Sequence, residues 1–323
     1  MKVIICELKD RSRYTTREVA YLILELVTKR GWMQIETEDL CYSSRPLKSH
    51  LLSGLGEMPE VILFWEGYYL LNRRRAEIEA LDCAKYVFCE DLHDGEEQSK
   101  QNKLEAFSMF HTVLASYGYV FDQYYPELSM KRVVWLPHSA SPDFLLPYND
   151  HPENAIFLSG AVNDNYPLRQ RVKGLSDSGS YPIVVQPHPG HRCDFDYRTN
   201  TGVGREYAMR INTYRVAFTD CSKYKYSIAK YFEIPATGAL LLADRAISKP
   251  LRAIGFIDGT NYIGVSDDDL EKKLAYVLDD SNRDELDEIR RNGQRLVWQK
   301  HKTSDRARLI DEICTAAGIT ATV

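Results

Sequence analysis

Short, unbroken apolar runs alternate with amphipathic stretches along this chain, and that alternation is what most limits its fold. KVIICE (2–7), EVILFWEG (60–67), AKYVFCED (84–91) and RVVWLPHS (132–139) offer almost no polar face. A strand of this kind is buried on both sides, as in a parallel sheet covered by helices. After the first run, TTREVAYLILELVTKRG (15–31) places Val19, Leu22, Ile23 and Leu26 on one helical face. Thr15 or Thr16 can cap that helix and Gly31 can end it. KQNKLEAFSMFHTVLASYG (100–118) reads as another helical stretch, between the last two runs. The outcome is βαβ alternation through residues 1–145.

PDFLLPYNDHPE (142–153) holds three prolines among polar residues and reads as a linker. The alternation then restarts. AIFLSGAV (155–162) and YPIVVQPHPG (181–190) read as strands, with YPLRQRVKGLSDSG (166–179) as the helix between them. REYAMRINTYRVAFTDCS (205–222) reads as a helix feeding a strand, and KYFEIPATGALLLAD (230–244) as a helix, a glycine stop and a buried strand. Pro235 deletes a helical N–H there and shortens that helix. Ser266 is placed to cap a further helix, and two amphipathic helices follow at about 281–298 and 303–316. The fold class is therefore α/β, with two Rossmann-like halves at 1–145 and 154–300. Sheets of this type bind ligands outside the carboxyl ends of their strands, and two such halves face each other across a cleft.

Composition narrows the function classes. The 41 basic and 46 acidic residues give a net charge of -5, so the chain has no overall basic footprint and nucleic acid is not the expected partner. Seven cysteines with no C-x-x-C pair fit free thiols and a cytoplasmic setting. No apolar run approaches the roughly 18 residues of a membrane span. MKVIICELKD becomes charged too early for a secretory leader and reads as a strand. Neither a G-x-G-x-x-G after the first strand nor a G-x-x-x-x-G-K-[ST] is present, which counts against a dehydrogenase or a P-loop enzyme. TGVGRE (201–206) follows no apolar run and reads as a turn.

Polar groups gather after the strands. In the second half these are Gly160, Arg169, His188 and His191, then Ser222, Lys223, Lys225, Ser227 and Lys230 about an expected helix start, with Glu233 two turns along. A helix start with lysines suits a diphosphate, and a downstream carboxylate suits a ribose. The same residues also fit an exposed lysine-rich helix with a solvated glutamate. In the first half, Glu66 stands beside Trp65, Tyr68 and Tyr69, a pairing of carboxylate and aromatic faces that suits a sugar ring. Glu90, Asp91 and His93 follow another strand, where Asp91 and His93 could serve as general base towards an acceptor hydroxyl or simply bind it. His138 ends the strand before the linker, and Arg11 and Arg13 follow the first strand. DFD (194–196) and the pair His188 and His191 are the nearest approaches to metal-binding patterns, and neither is read as a metal site.

KYFEIPATGALLLAD, followed by GTNYIGVSDDDLEKKLAYVLDD (259–280) and RRNGQRLVWQKHKTSDRARLIDEI (290–313), resembles the carboxy-terminal half of a GT-B glycosyltransferase. The likeness is to the group-1, glycogen-synthase-like superfamily, and within it to the spore-maturation-protein-like branch with its K-x-F-E-I-P-A-x-G pattern. The resemblance implies a donor domain at 154–300 that holds a nucleotide-diphosphate sugar, an acceptor domain at 1–145, and a terminal helix at 301–323 that packs back on the first domain. It implies no metal and no cofactor beyond the donor, with transfer of a hexosyl or pentosyl group, retaining in stereochemistry by superfamily analogy, to a glycan, glycolipid or small molecule. Glu233 matches the glutamate that holds the donor ribose, and Gly238 the glycine that closes the helix. Gly160, Arg169, His188, Lys225, Ser227 and Lys230 complete the expected donor contacts; Trp65, Glu66, Tyr68 and His138 are the expected acceptor contacts. Lys225 departs from the pattern, because relatives usually carry there a glutamate that touches the donor sugar. That departure leaves a non-catalytic nucleotide-sugar-binding module as the alternative.

Overall fold

The computed structural model describes residues 1–11, 13–190 and 195–320, and the chain forms two compact units. His191 and Asp194 lie outside the described residues, as does the side chain of Arg11. The first unit comprises Met1–Ser12, Val19–Pro137 and Ser304–Val323; the second comprises Arg13–Glu18 and His138–Thr303.

The first unit carries six parallel strands, β1 (Lys2–Cys6), β2 (Trp32–Glu36), β3 (Val61–Trp65), β4 (Ala84–Cys89), β5 (Thr112–Ala115) and β6 (Arg132–Trp135). Their order is β2-β1-β3-β4-β5-β6. The helix Glu18–Arg30 has an acid in its first turn and Lys29 and Arg30 in its last, which suits the helix dipole. It buries Leu22, Ile23 and Leu26 against Ile4, Leu63 and Trp65. Gly31 ends it at φ +68, a left-handed conformation that favours glycine. Ala307, Ile310 and Cys314 of the helix Thr303–Thr320 belong to the same core. Asp311 on that helix accepts from Lys2 Nζ at 2.5 Å and Trp32 Nε1 at 2.8 Å.

The expected helical stretch 100–118 is not continuous. A helix occupies Glu97–Ser108 and β5 takes Thr112–Ala115. Thr112, Val113, Leu114 and Ala115 are all buried, so no polar face remains for a helix to present. Tight turns from Met109 N to Ala106 O and from Phe110 N to Phe107 O close the helix ahead of the strand.

The second unit carries β7 (Glu153–Ser159), β8 (Ile183–Gln186), β9 (Tyr214–Thr219), β10 (Leu240–Asp244) and β11 (Ile263–Val265), all parallel, in the order β11-β10-β9-β7-β8. The order reverses between β7 and β9, so the loops leaving these two neighbours diverge and open a crevice at their carboxyl ends. In the first unit the equivalent reversal lies between β1 and β3.

The helix expected before β10 is shorter than its sequence suggests. It spans Lys230–Ala236 only. Ser222 and Lys225 sit at φ 57 and 60, left-handed values that a right-handed helix cannot contain. Glu233 therefore lies in the first turn and not two turns along. The carbonyls at the end of this helix are met by side chains of the helix Arg283–Lys300. Trp298 Nε1 donates to Ala236 O at 2.9 Å and Arg290 Nε to Gly238 O at 3.0 Å. Gly293 lets that helix approach closely; a Cβ there would lie 3.3 Å from Pro235 Cβ and 2.7 Å from Asn261 O. Ser266 caps its helix as expected, in a reciprocal arrangement with Asp269.

The six described cysteines Cys6, Cys41, Cys83, Cys89, Cys221 and Cys314 are free thiols. Among the described residues no helix is long and apolar enough to cross a membrane. Arg290 is 1% exposed and also donates to Asn149 O at 3.0 Å and Asp287 Oδ1 at 2.5 Å, with its guanidinium 4.6 Å from the Tyr148 ring centre. Removing it takes the nearer of two arginines from Asp287 and leaves the carbonyls of Gly238 and Asn149 without this donor. Arg290→Ala is expected to lower stability by about 3 kcal/mol or more, measured by urea unfolding.

Candidate functional site

The crevice at β7 and β9 is built from small residues and buried charges. β7 ends in Ser159, and the chain turns at Gly160 with φ +98. A Cβ on Gly160 would lie 2.8 Å from Arg169 Nη1 and 2.9 Å from Lys230 Cε. The glycine thus admits two cations to one strand end. Arg169, 2% exposed, is committed to its surroundings. Its Nε lies 3.2 Å from Asp220 Oδ1, Nη2 donates to Thr219 Oγ1 at 3.0 Å, and Nη1 to Ala161 O at 3.2 Å. Its guanidinium also stands 3.9 Å from the Tyr166 ring centre. Burial raises the Asp220 carboxyl above its ordinary value, against the opposing field of Arg169.

Lys230 is half-buried and donates from Nζ to Tyr207 Oη, which lies 2.6 Å from Ser159 Oγ. Glu233, one helical turn on, is 4% exposed. Among the described residues no hydrogen bond reaches its carboxylate and no ion pair joins it to Lys230. Burial is the largest influence on this carboxyl and lifts it from 4.5 to about 7. Lys230 and His138 pull it down, while Glu18 and Asp143 push it up. A buried carboxylate without a partner is costly, and it is poised to accept hydrogen bonds from a ligand.

Glu18, Asp143 and His138 are held in a network of the second unit. Glu18 Oε2 lies 2.7 Å from His138 Nδ1, and Glu18 Oε1 accepts from Ser139 N at 2.5 Å and Ser139 Oγ at 2.7 Å. Arg17 pairs with Asp143 at 2.8 Å and lies 4.0 Å from the Tyr197 ring centre. Tyr197 Oη donates to Tyr14 O at 2.8 Å, and Thr15 Oγ1 donates to Gly190 O. The segment Arg13–Glu18 is thereby tied to the loop after β8. In that loop His188 Nδ1 accepts from Gly190 N at 3.1 Å.

Of the residues expected to meet a donor, the structure brings Gly160, Arg169, Lys230 and Glu233 to one place. Ser227 is fully buried, and Lys225 is exposed in the turn after β9. His138, expected among the acceptor contacts, belongs to the second unit and lies within electrostatic reach of Glu233. Glu18, Asp143 and Tyr207 were not singled out by sequence. Glu18 looks like an ordinary first-turn acid, and Tyr207 is one of 21 tyrosines.

In the first unit, Glu66 holds a left-handed φ of 56 at the end of β3 and accepts at Oε1 from Glu90 N at 3.4 Å. Trp65 is buried, stacks on Phe88 with 3.9 Å between ring centres, and donates from Nε1 to Glu90 Oε1 at 2.9 Å. The Tyr68 ring packs edge-on against Phe107, and burial holds its hydroxyl well above the usual tyrosine value. Asp91 is exposed and His93 half-buried. Lys103 shapes their loop by donating to Asp91 O at 2.7 Å and pairing with Asp94 at 3.0 Å.

The raised Glu233 carboxyl makes folding pH-dependent. Below its unfolded value of about 4.5 both states are protonated and there is no penalty. Between there and about 7 the unfolded chain ionises first, so native stability falls as pH rises, and above 7 the whole penalty is present. Glu233→Gln removes this slope. Relative to the unmodified protein it is expected to gain about 3 kcal/mol between pH 4.5 and pH 8, measured by denaturant unfolding without ligand.

Comparison with known proteins bears on the architecture and on one segment. Residues 191–312 match the model of a family described as glycosyl transferase-like. No curated protein matches the chain in sequence. Among solved structures, Anabaena Alr3699/HepE in complex with UDP and glucose is similar over 98% of this chain and 100% of its own, at 10% identity and a TM-score of 0.62. A glycosyltransferase from Rickettsia africae is similar over 98% of both chains, at 11% identity and a TM-score of 0.58. The pneumococcal O-GlcNAc transferase GtfA, in complex with UDP and GlcNAc, aligns over 85% of this chain at 10% identity and a TM-score of 0.53, and the chain spans 60% of its length. With its two parallel sheets, the chain has the GT-B fold of these glycosyltransferase structures, and its residues 191–312 are similar to the glycosyl transferase-like family.

Proposed function

We propose that the chain moves a sugar from a nucleoside diphosphate sugar to a hydroxyl of a glycan, glycolipid or small molecule, without a required metal. The observation that carries this reading is the Glu233 carboxylate, buried and given no hydrogen bond by the described residues, one turn from Lys230, at the point where the strand order of the second sheet reverses. In this reading the two ribose hydroxyls donate to Glu233. The Lys230 ammonium meets the diphosphate, and Gly160 lets the phosphates approach the backbone. In the chemical step the bond from the sugar C1 to the phosphate oxygen breaks and its electron pair leaves with the nucleoside diphosphate. The acceptor oxygen bonds to C1 and gives up its proton. Lys230 offsets the charge that grows on the leaving group, as a fixed cation in a dry site does best.

In a retaining transfer the departing phosphate oxygen takes that proton, and no protein base is needed. Asp91, His93 and Glu66 then act as acceptor contacts on the loops after β3 and β4. The left-handed backbone at Glu66 supports this, since strained conformations concentrate where a side chain must be aimed. The ring of Trp65 is spent on Phe88, so Trp65 acts by orienting Glu90.

A thermal-shift panel of nucleoside diphosphate sugars is expected to show stabilisation by at least one donor. Glu233→Ala is expected to weaken that binding about tenfold or more, the cost of losing hydrogen bonds to a charged group. No stabilisation by any donor would overturn the reading. Slow release of free nucleoside diphosphate without acceptor marks an enzyme; tight binding with no release marks a binding module instead.

A further inference from the structure

Lys230 and Glu233 are one helical turn apart in a poorly hydrated place, where opposite charges are expected to pair. They form no ion pair. The lysine is drawn the other way. Its Nζ donates to Tyr207 Oη and stands 4.7 Å from the Tyr207 ring centre, and its Cε rests where a side chain on Gly160 would be. Tyr207 is itself fixed. It is 7% exposed, its hydroxyl meets Ser159 Oγ at 2.6 Å, and its ring packs on Phe144 and Phe157.

We propose that Tyr207, backed by Ser159, is a positioning residue that holds the Lys230 ammonium away from the Glu233 carboxylate, so that the two charges stay available to two different parts of one nucleoside diphosphate. A lysine that closed on Glu233 would neutralise the acceptor of the ribose hydroxyls and remove the cation from the diphosphate. The arrangement leaves both groups imperfectly satisfied until ligand arrives. Its use rests on the reading given under Proposed function; the separation of the charges does not.

The test is Tyr207→Phe, which keeps the ring and removes the acceptor. Glu233 is faced by Lys230, Glu18, His138 and Asp143, and of these only Lys230 is released by the substitution. Carbon NMR of protein carrying labelled glutamate carboxyls, with Glu233→Gln assigning the signal, reads the titration directly. In Tyr207→Phe the Glu233 midpoint is expected to fall from about 7 by about one pH unit or more, the effect of an adjacent ammonium. UDP, used as the probe, is expected to bind about tenfold more weakly. Lys230→Met should move the midpoint the other way. If Tyr207→Phe does not fold, Ser159→Ala, which loosens the same hydroxyl, is read in its place. An unchanged Glu233 midpoint overturns the proposal whatever happens to UDP affinity, because a merely structural tyrosine would leave that titration alone. A lowered midpoint in a protein that binds no UDP and no donor upholds the positioning role and overturns the reading of the site.

Discussion

Burying a carboxylate without a partner raises the free energy of the folded chain, and the second unit is arranged around one such group. Glu233 is offered no hydrogen bond by the described residues, and the Lys230 ammonium, one turn away, is turned towards Tyr207. The surroundings must be firm enough to prevent collapse. That firmness comes from below the helix. Arg290 and Trp298 take up its terminal carbonyls, Gly293 lets their helix press on Pro235, and Gly238 makes the turn into β10 at φ +86. Pro235 and the shortness of Lys230–Ala236 belong to the same design. A longer helix would need the residues of 222–229, and those are used instead to make a turn with left-handed positions.

Charges in this region are graded by how fully they are committed. Arg169 is paired with Asp220, Thr219 and a carbonyl, and acts as a wall. Glu18 accepts from both groups of Ser139 and orients His138. Lys230 spends one donor, on Tyr207. Among the described residues, Glu233 alone of these four makes no side-chain hydrogen bond and joins no ion pair. This gradient distinguishes Arg169 from Glu233 where burial does not, since the two are almost equally hidden.

Much of the architecture was legible in sequence because strands buried on both faces announce themselves. β1, β3, β4, β7 and β10 come from runs that no other element could bury. β2 was not legible, because WMQIE at the sheet edge is half-exposed and mixed in polarity. β5 was hidden because its four residues continue the apolar rhythm of the helix before it. At the site, Glu233, Lys230 and Gly160 were visible through their positions after strands. Glu18, Tyr207 and Asp143 were not, because each meets Glu233 or Lys230 only through distant chain segments that the fold brings together. Local pattern carries no record of such encounters.

The way the chain is shared between the units also bears on the order in which they can be completed. The first unit begins at residue 1, yet Ala307, Ile310 and Cys314 close its core, and Asp311 anchors Lys2 and Trp32. The second unit ends at Thr303, and its one early contribution, Arg13–Glu18, has already been made by then. On a ribosome the usual amino-first order is therefore inverted. The later unit can finish while the earlier one still waits, with an open apolar face, for the helix that seals it.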